Sequence, residues 1–221
     1  MARVSEVWYQ WLRILQVLYC DEMHFTYNKR KRGVTEWSIC EDKERHCLDC
    51  KQQKHRSGKA EFHVWSCISW NYKGPLVFYE RPQGEGGFSE EFYRDGILRM
   101  HVEPRHRVFR ANGKGFVLLE ENDGLHRTRT PGDPTWRYKD EIGLHYYTNP
   151  PNSFDFNPNV AIWRLVKERT KLPKEATKVE LQWELQVEWD KITIEEINKE
   201  ISSLQGRMDK CVERGGLQTY T

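Results

Sequence analysis

Acidic residues collect at three places where a strand or helix is expected to begin or end. Asp21 and Glu22 follow the apolar run Val17-Leu18-Tyr19. Glu120, Glu121 and Asp123 follow Phe116-Val117-Leu118-Leu119, and Asp155 stands just before a helical stretch. Carboxylates at strand ends are what a two-metal phosphoryl-transfer site requires. There, two ions roughly 4 Å apart clamp the attacking and leaving oxygens, and Mg²⁺, a hard cation, prefers carboxylate oxygen. Acidic residues also serve as solvated turn formers, so the pattern alone leaves both readings open.

A second group is soft. Cys40, Cys47, Cys50 and His55 offer four ligands for a tetrahedral zinc, with His46, His63 and Cys67 nearby. The other reading is free thiols in a basic loop. Gln10, Arg13 and Gln16 break the apolar patch from Trp8 to Tyr19, so it makes a poor secretory signal, and reduced thiols are expected. Cys20 and Cys67 lie in expected strands and read as core thiols. Three basic runs complete the inventory: Lys29-Arg30-Lys31-Arg32; Lys51, Lys54, Arg56 and Lys59; and Arg99, Arg105, His106, Arg107, Arg110 and Lys114. Such runs track nucleic-acid phosphates, signal nuclear import or form a solvated face.

The elements that must position these residues follow from periodicity. Residues 4–16 read as an amphipathic helix leading into a strand over 17–21. Residues 40–60 read as an irregular Cys-rich, basic insertion. Phe62–Trp70 and Gly74–Tyr79 form a hairpin, and Ser89 caps a helix over 90–100. A strand over 115–120 precedes a polar, irregular stretch over 127–140, and 162–167 has helical spacing. From Thr177 the alternation of Val179, Leu181, Trp183, Leu185, Val187 and Trp189 suits a strand, but the Glu, Gln and Leu content favours helix. Trp183 and Trp189 are expected to pack on the sheet; a partner-binding face is the alternative. Thr193 and Glu196 form a capping box. Ile197, Ile201, Leu204 and Met208 share a helical face, and Gly215-Gly216 ends the helix.

Composition sets the outer bounds. The 35 basic and 33 acidic residues give a net charge of +2, which excludes a uniformly basic polyanion binder. Mean hydropathy is −0.85, and no apolar run nears the roughly 20 residues of a membrane span. Nine Trp, ten Tyr and nine Phe exclude a disordered chain of 221 residues.

Taken in order, several segments resemble the catalytic domain of mariner-type DDE transposases, in particular fungal ones. Cys20-Asp-Glu-Met-His-Phe25 is similar to their "DExxF" strand end. Val64-Trp-Ser-Cys-Ile-Ser-Trp70 with Lys73-Gly-Pro-Leu-Val-Phe78 is similar to a "vWG-I-kGpLvF" hairpin. Glu121-Asn-Asp-Gly-Leu-His126 is similar to "DNxxxH", and Asn149–Pro158 to "WPPNSPDLNP". Ala161–Lys167 resembles the helix that follows, and Arg207–Tyr220 the closing "R…GGxTxY". The resemblance implies an RNase H-like α/β fold, a mixed sheet flanked by helices, as a single domain over 1–221 with a helical tail over 177–216. It implies Asp21 as the first catalytic carboxylate and, for an active enzyme, Mg²⁺.

The departures shape the functional expectation. The second catalytic Asp is replaced by Glu121, and Val160 stands where the third carboxylate belongs. Valine neither ligates Mg²⁺ nor accepts a proton. Only 20 residues precede Asp21, too few for the helix-turn-helix modules the family carries there. The expectation is a domesticated, catalytically inactive nuclear protein acting through protein partners, chromatin proteins among them, or through non-specific DNA contact. The alternative is an active Mg²⁺-dependent endonuclease or strand transferase in which Asp155 or Asp123 replaces the lost acid.

Overall fold

Residues 17–25 divide their side chains between two apolar sets, and this division decides the architecture. Val17, Tyr19, Met23 and Phe25 join one buried cluster, while Leu18 and Cys20 join another. A strand apolar on both sides belongs mid-sheet, with a helical layer over each face. The computed structural model describes residues 16–28, 59–79, 89–121, 126, 131–149, 153–171 and 177–216. In it, β1 (Gln16–Asn28) pairs antiparallel with β2 (Lys59–Ser69) and parallel with β5 (Phe116–Glu120). Short β3 (Tyr72–Lys73) and β4 (Val77–Tyr79) both pair with β2, and β6 (His145–Thr148) lies parallel to β5. The main path runs β3-β2-β1-β5-β6.

One face is covered by α1 (Phe92–Val102), its direct continuation α2 (Glu103–Ala111) and α3 (Pro134–Glu141). Ser89 Oγ accepts from Phe92 N–H at 3.1 Å, as its capping role requires. The turns of α1 are wide: Glu103 N–H bonds to the carbonyl of Leu98, five residues back. The buried Tyr93, Ile97, Leu98 and Val102 recur at that wider period. The other face is covered by α4 (Pro158–Arg169), α5 (Lys178–Lys191) and α6 (Ile194–Glu213). Thr177 and Thr193 each form a full capping box with Glu180 and Glu196, so helix and not strand wins over 178–191.

Three local expectations need correction. The stretch 127–140 is not wholly irregular, because Asp133 caps α3, with Pro134 at its first position, and Thr135, Tyr138 and Lys139 face inward. Strand β6 follows it and was not anticipated: its four residues give too short an alternation to read. Trp183 does not pack on the sheet. Helical geometry puts Leu181, Leu185 and Trp189 on the buried side and leaves Val179 and Trp183 exposed. The Cys-rich stretch 40–58 and all of the expected N-terminal helix except Gln16, which begins β1, lie outside the described residues; Lys59 and Ala60 already belong to β2.

The hairpin and the C-terminal helices are joined by Lys73. Its Nζ donates to the carbonyls of Trp189, Asp190 and Ile192 at 3.0, 3.0 and 2.8 Å, satisfying the end of α5. Trp189 Nε1 in turn donates to Gly74 O at 3.0 Å. Lys73→Met leaves these helix-end carbonyls without their charged donor. It is expected to lower unfolding free energy by about 1–3 kcal/mol in urea titrations without changing the helix content of the folded state.

Candidate active site

The alternation in β1 sorts its two acidic residues onto opposite faces. Asp21 shares the face of Tyr19 and Met23, beneath α4; Glu22 shares the face of Leu18 and Cys20, beneath α1. Across the antiparallel pair, Asp21 stands directly opposite Ser66. On the other side the parallel register runs from Gln16–Phe116 to Tyr19–Leu119, and Glu121 comes directly after the last residue of β5. Ser66 and Asp21 therefore form a row across two strands on one face, with Glu121 just past the end of β5. Asp21 is 2% exposed, and its Oδ1 accepts from Glu22 N–H at 2.9 Å.

The N-terminus of α4 is pinned over this row by two asparagines. Asn157 caps the helix: its Oδ1 accepts from Asn159 N–H at 3.1 Å while its Nδ2 donates to Cys20 O at 3.2 Å. Asn159 Nδ2 donates to Tyr19 O at 2.7 Å. Both bonds reach β1 within two residues of Asp21, and the next residue of the helix is Val160, 36% exposed. Three buried oxygens on this face, Ser66 Oγ, Asn159 Oδ1 and the Tyr19 hydroxyl, have no hydrogen-bond partner among the described residues. Each such group carries a desolvation penalty of about 1–3 kcal/mol.

Behind the row, on the α1 face, lies a buried charge network. Lys139 Nζ, fully buried on α3, donates to both oxygens of Glu120 at 2.8 and 2.6 Å and to the carbonyl of His126 at 2.9 Å. The Tyr93 hydroxyl donates to Glu120 as well. His126 donates through Nδ1 to Glu121 O at 2.8 Å and through Nε2 to Glu22 Oε1 at 3.2 Å. Burial works against its charge, but Glu22 and then Glu120 outweigh burial and raise the imidazole to about 9. The imidazolium thus ties the residue after Asp21 to the backbone of Glu121. Sequence reasoning missed Lys139 and Tyr93, since a lysine in a polar stretch and a tyrosine in a helix carry no pattern.

The remaining sequence candidates fare differently. Asp155 lies in a 3₁₀ turn (Phe154–Phe156), where its carbonyl accepts from Arg207 Nη1 at 2.9 Å. Among the described residues, no three His, Cys, Asp or Glu side chains gather as a metal site, so Asp155 does not complete a triad with Asp21 and Glu121. Asp123 lies outside the described residues, as do Lys29, Arg30, Lys31, Arg32, Lys51, Lys54, Arg56, Cys40, Cys47, Cys50 and His55; Lys59 opens β2. The third basic run is largely engaged within the fold. Arg105 stacks on Tyr72 and Phe109 at 3.8 and 4.7 Å, Arg107 pairs with Glu103, Arg110 reaches Ile142 O, and Arg99 pairs with Asp95.

The sequence matches no family model and no curated protein. Solved structures do match. The catalytic domain of the Mos1 mariner transposase is 11% identical with a TM-score of 0.65, covering 98% of this chain and 91% of that one. The chain has the fold of that domain. The same domain with Raltegravir and Mg is 12% identical at a TM-score of 0.63, covering 98% of this chain and 92% of that one. The pre-cleavage Mos1 transpososome is 14% identical at 0.65; this chain is covered over 98% of its length and spans 61% of that one.

Against that fold the donor set can be tested for metals. Two divalent ions bring four positive charges, and the described residues at this end of the sheet supply Asp21 and Glu121, with Val160 at the start of the helix above. Among the described residues, the donors do not fit a two-ion centre.

The His126 network has a pH signature. Its pKa is raised in the folded state, so its stabilisation is complete below the unfolded value near 6.5 and is lost as pH climbs through about 9. Urea unfolding at pH 6, 8 and 10 should show a decline of about 3 kcal/mol that His126→Gln lacks. A parallel decline in both proteins would mean that His126 is not charged in the fold.

Proposed function

We propose that this chain is a transposase-derived nuclear protein that has lost strand cleavage and now acts by holding DNA phosphates without reading sequence, or as a scaffold for protein partners. The observation that carries this reading is Val160. The two asparagine tethers place the first turn of α4 over Asp21, and the residue there has no oxygen to offer. Glu121 adds to it, since its carboxylate sits one methylene further from the backbone than an aspartate's would, and displacements at this scale alter rates by orders of magnitude. Likeness to the Mos1 transpososome and to the Mos1 strand transfer complex supports descent from a transposase and contact with DNA.

The purified chain incubated with supercoiled plasmid and Mg²⁺ or Mn²⁺ should leave the plasmid intact. Nicking that disappears in Asp21→Ala would overturn the proposal and make the chain an enzyme. Duplex binding followed between 50 and 200 mM salt separates the two modes of action. Three phosphate contacts weaken affinity by about 40-fold over that range, whereas a scaffold that acts through proteins shows no duplex affinity to lose.

A further inference from the structure

Among the described residues, the two most exposed large apolar side chains are Val179 and Trp183, at 73% and 70%. They lie four residues apart on α5, and half-buried Val187 continues the line at the same spacing. The helix therefore carries two apolar stripes. Leu181, Leu185 and Trp189 enter the core, and the second stripe faces away from it. Single exposed apolar residues are ordinary, but three in register with a tryptophan at the centre form the kind of patch that other proteins contact. Glu180 and Glu184 run along one edge of this stripe, with Gln182 and Gln186 along the other. Asp190 stands at its C-terminal end and accepts from Gln186 Nε2 at 2.9 Å. Lys191, beyond Glu184 on the acidic edge, is paired with Glu188 at 2.6 Å. The rim of the stripe is therefore acidic.

We propose that this stripe docks an amphipathic helix of a partner protein, one with apolar anchors every three to four residues and lysine or arginine along its edge. The proposal rests on the scaffold mode of the function proposed above and gives that scaffold its surface. Charge chooses among the occupants. Glu180, Glu184 and Asp190 meet DNA phosphates with like charge, so nucleic acid does not fit here. A second copy of the chain does not fit either. Antiparallel two-fold pairing centred on Trp183 sets Glu180 and Glu184 against the same two residues of the other copy, and parallel pairing sets Asp190 against Asp190. A basic-edged helix meets these acids with opposite charge, and its apolar face covers Trp183 at the spacing that helix packing requires.

The test uses the full chain and a fluorescein-labelled, alanine-rich peptide with leucines along one helical face and lysines along its edges. A second peptide carries glutamate in place of each lysine. Fluorescence anisotropy should show one lysine peptide bound per chain and the glutamate peptide bound about tenfold more weakly. Trp183→Ala should weaken the lysine peptide about thirtyfold. Its Tm should match the parent's, because the side chain it removes faces solvent. Glu184→Lys should weaken the lysine peptide and strengthen the glutamate peptide. No binding, equal binding of the two peptides, or unchanged affinity in Trp183→Ala would each overturn the inference. So would self-association in sedimentation, or duplex binding, that Trp183→Ala abolishes. None of the peptide readouts depends on cleavage. A chain that binds the peptide and still nicks DNA refutes loss of activity alone, and one that neither binds nor nicks refutes the docking surface alone.

Discussion

Everything at this site depends on the unbroken two-residue alternation of β1 between its two neighbours. The antiparallel register with β2 is continuous from Tyr19–Ile68 to Asn28–Lys59, and the parallel register with β5 covers Gln16 to Tyr19. Together they assign three neighbouring acids to a face. Asp21 goes beneath α4, and Glu22 and Glu120 go beneath α1. A slip of one residue in either strand would exchange the sets. The large apolar side chains forbid this, because Tyr19, Met23, Leu18 and Leu119 would have to leave the clusters that bury them.

On the α1 face every acid is answered: Glu120 by Lys139 and Tyr93, Glu22 by His126. Such a buried network tolerates no missing member, since removing one partner strands the other's charge. On the α4 face the protein supplies backbone N–H groups and amides but leaves several oxygens without partners. Asn157 and Asn159 fix the distance between helix and strand, so the side chain at position 160 has a defined relation to Asp21 whatever residue stands there.

Long periodic elements were legible in the sequence. β1, β2, β5 and the capped last helix announce themselves through apolar spacing and end signals, α5 was legible only through its Glu, Gln and Leu content against a strand-like alternation, and the resemblance in Asp21-Glu22, the hairpin and Asn157-Pro158 pointed to the fold that the structure has. Elements with little apolar content were not legible. α3 buries a lysine, and β6 is four residues long with alternate side chains exposed. Trp183 was misplaced because a period of two in sequence becomes a spread of faces once the segment coils. At the site, the acids drew attention and the amides did not. Asn157 and Asn159 matter through the β1 carbonyls they reach, a property of three-dimensional packing that residue type does not encode.

The loss of cleavage turns first on the missing carboxylate at position 160. Supercoiled plasmid incubated with Mn²⁺ and either the parent chain or Val160→Glu tests it most directly. The plasmid should stay intact with the parent, and nicking restored in Val160→Glu would place the defect at that position. Nicking by the parent that Asp21→Ala abolishes would contradict the account.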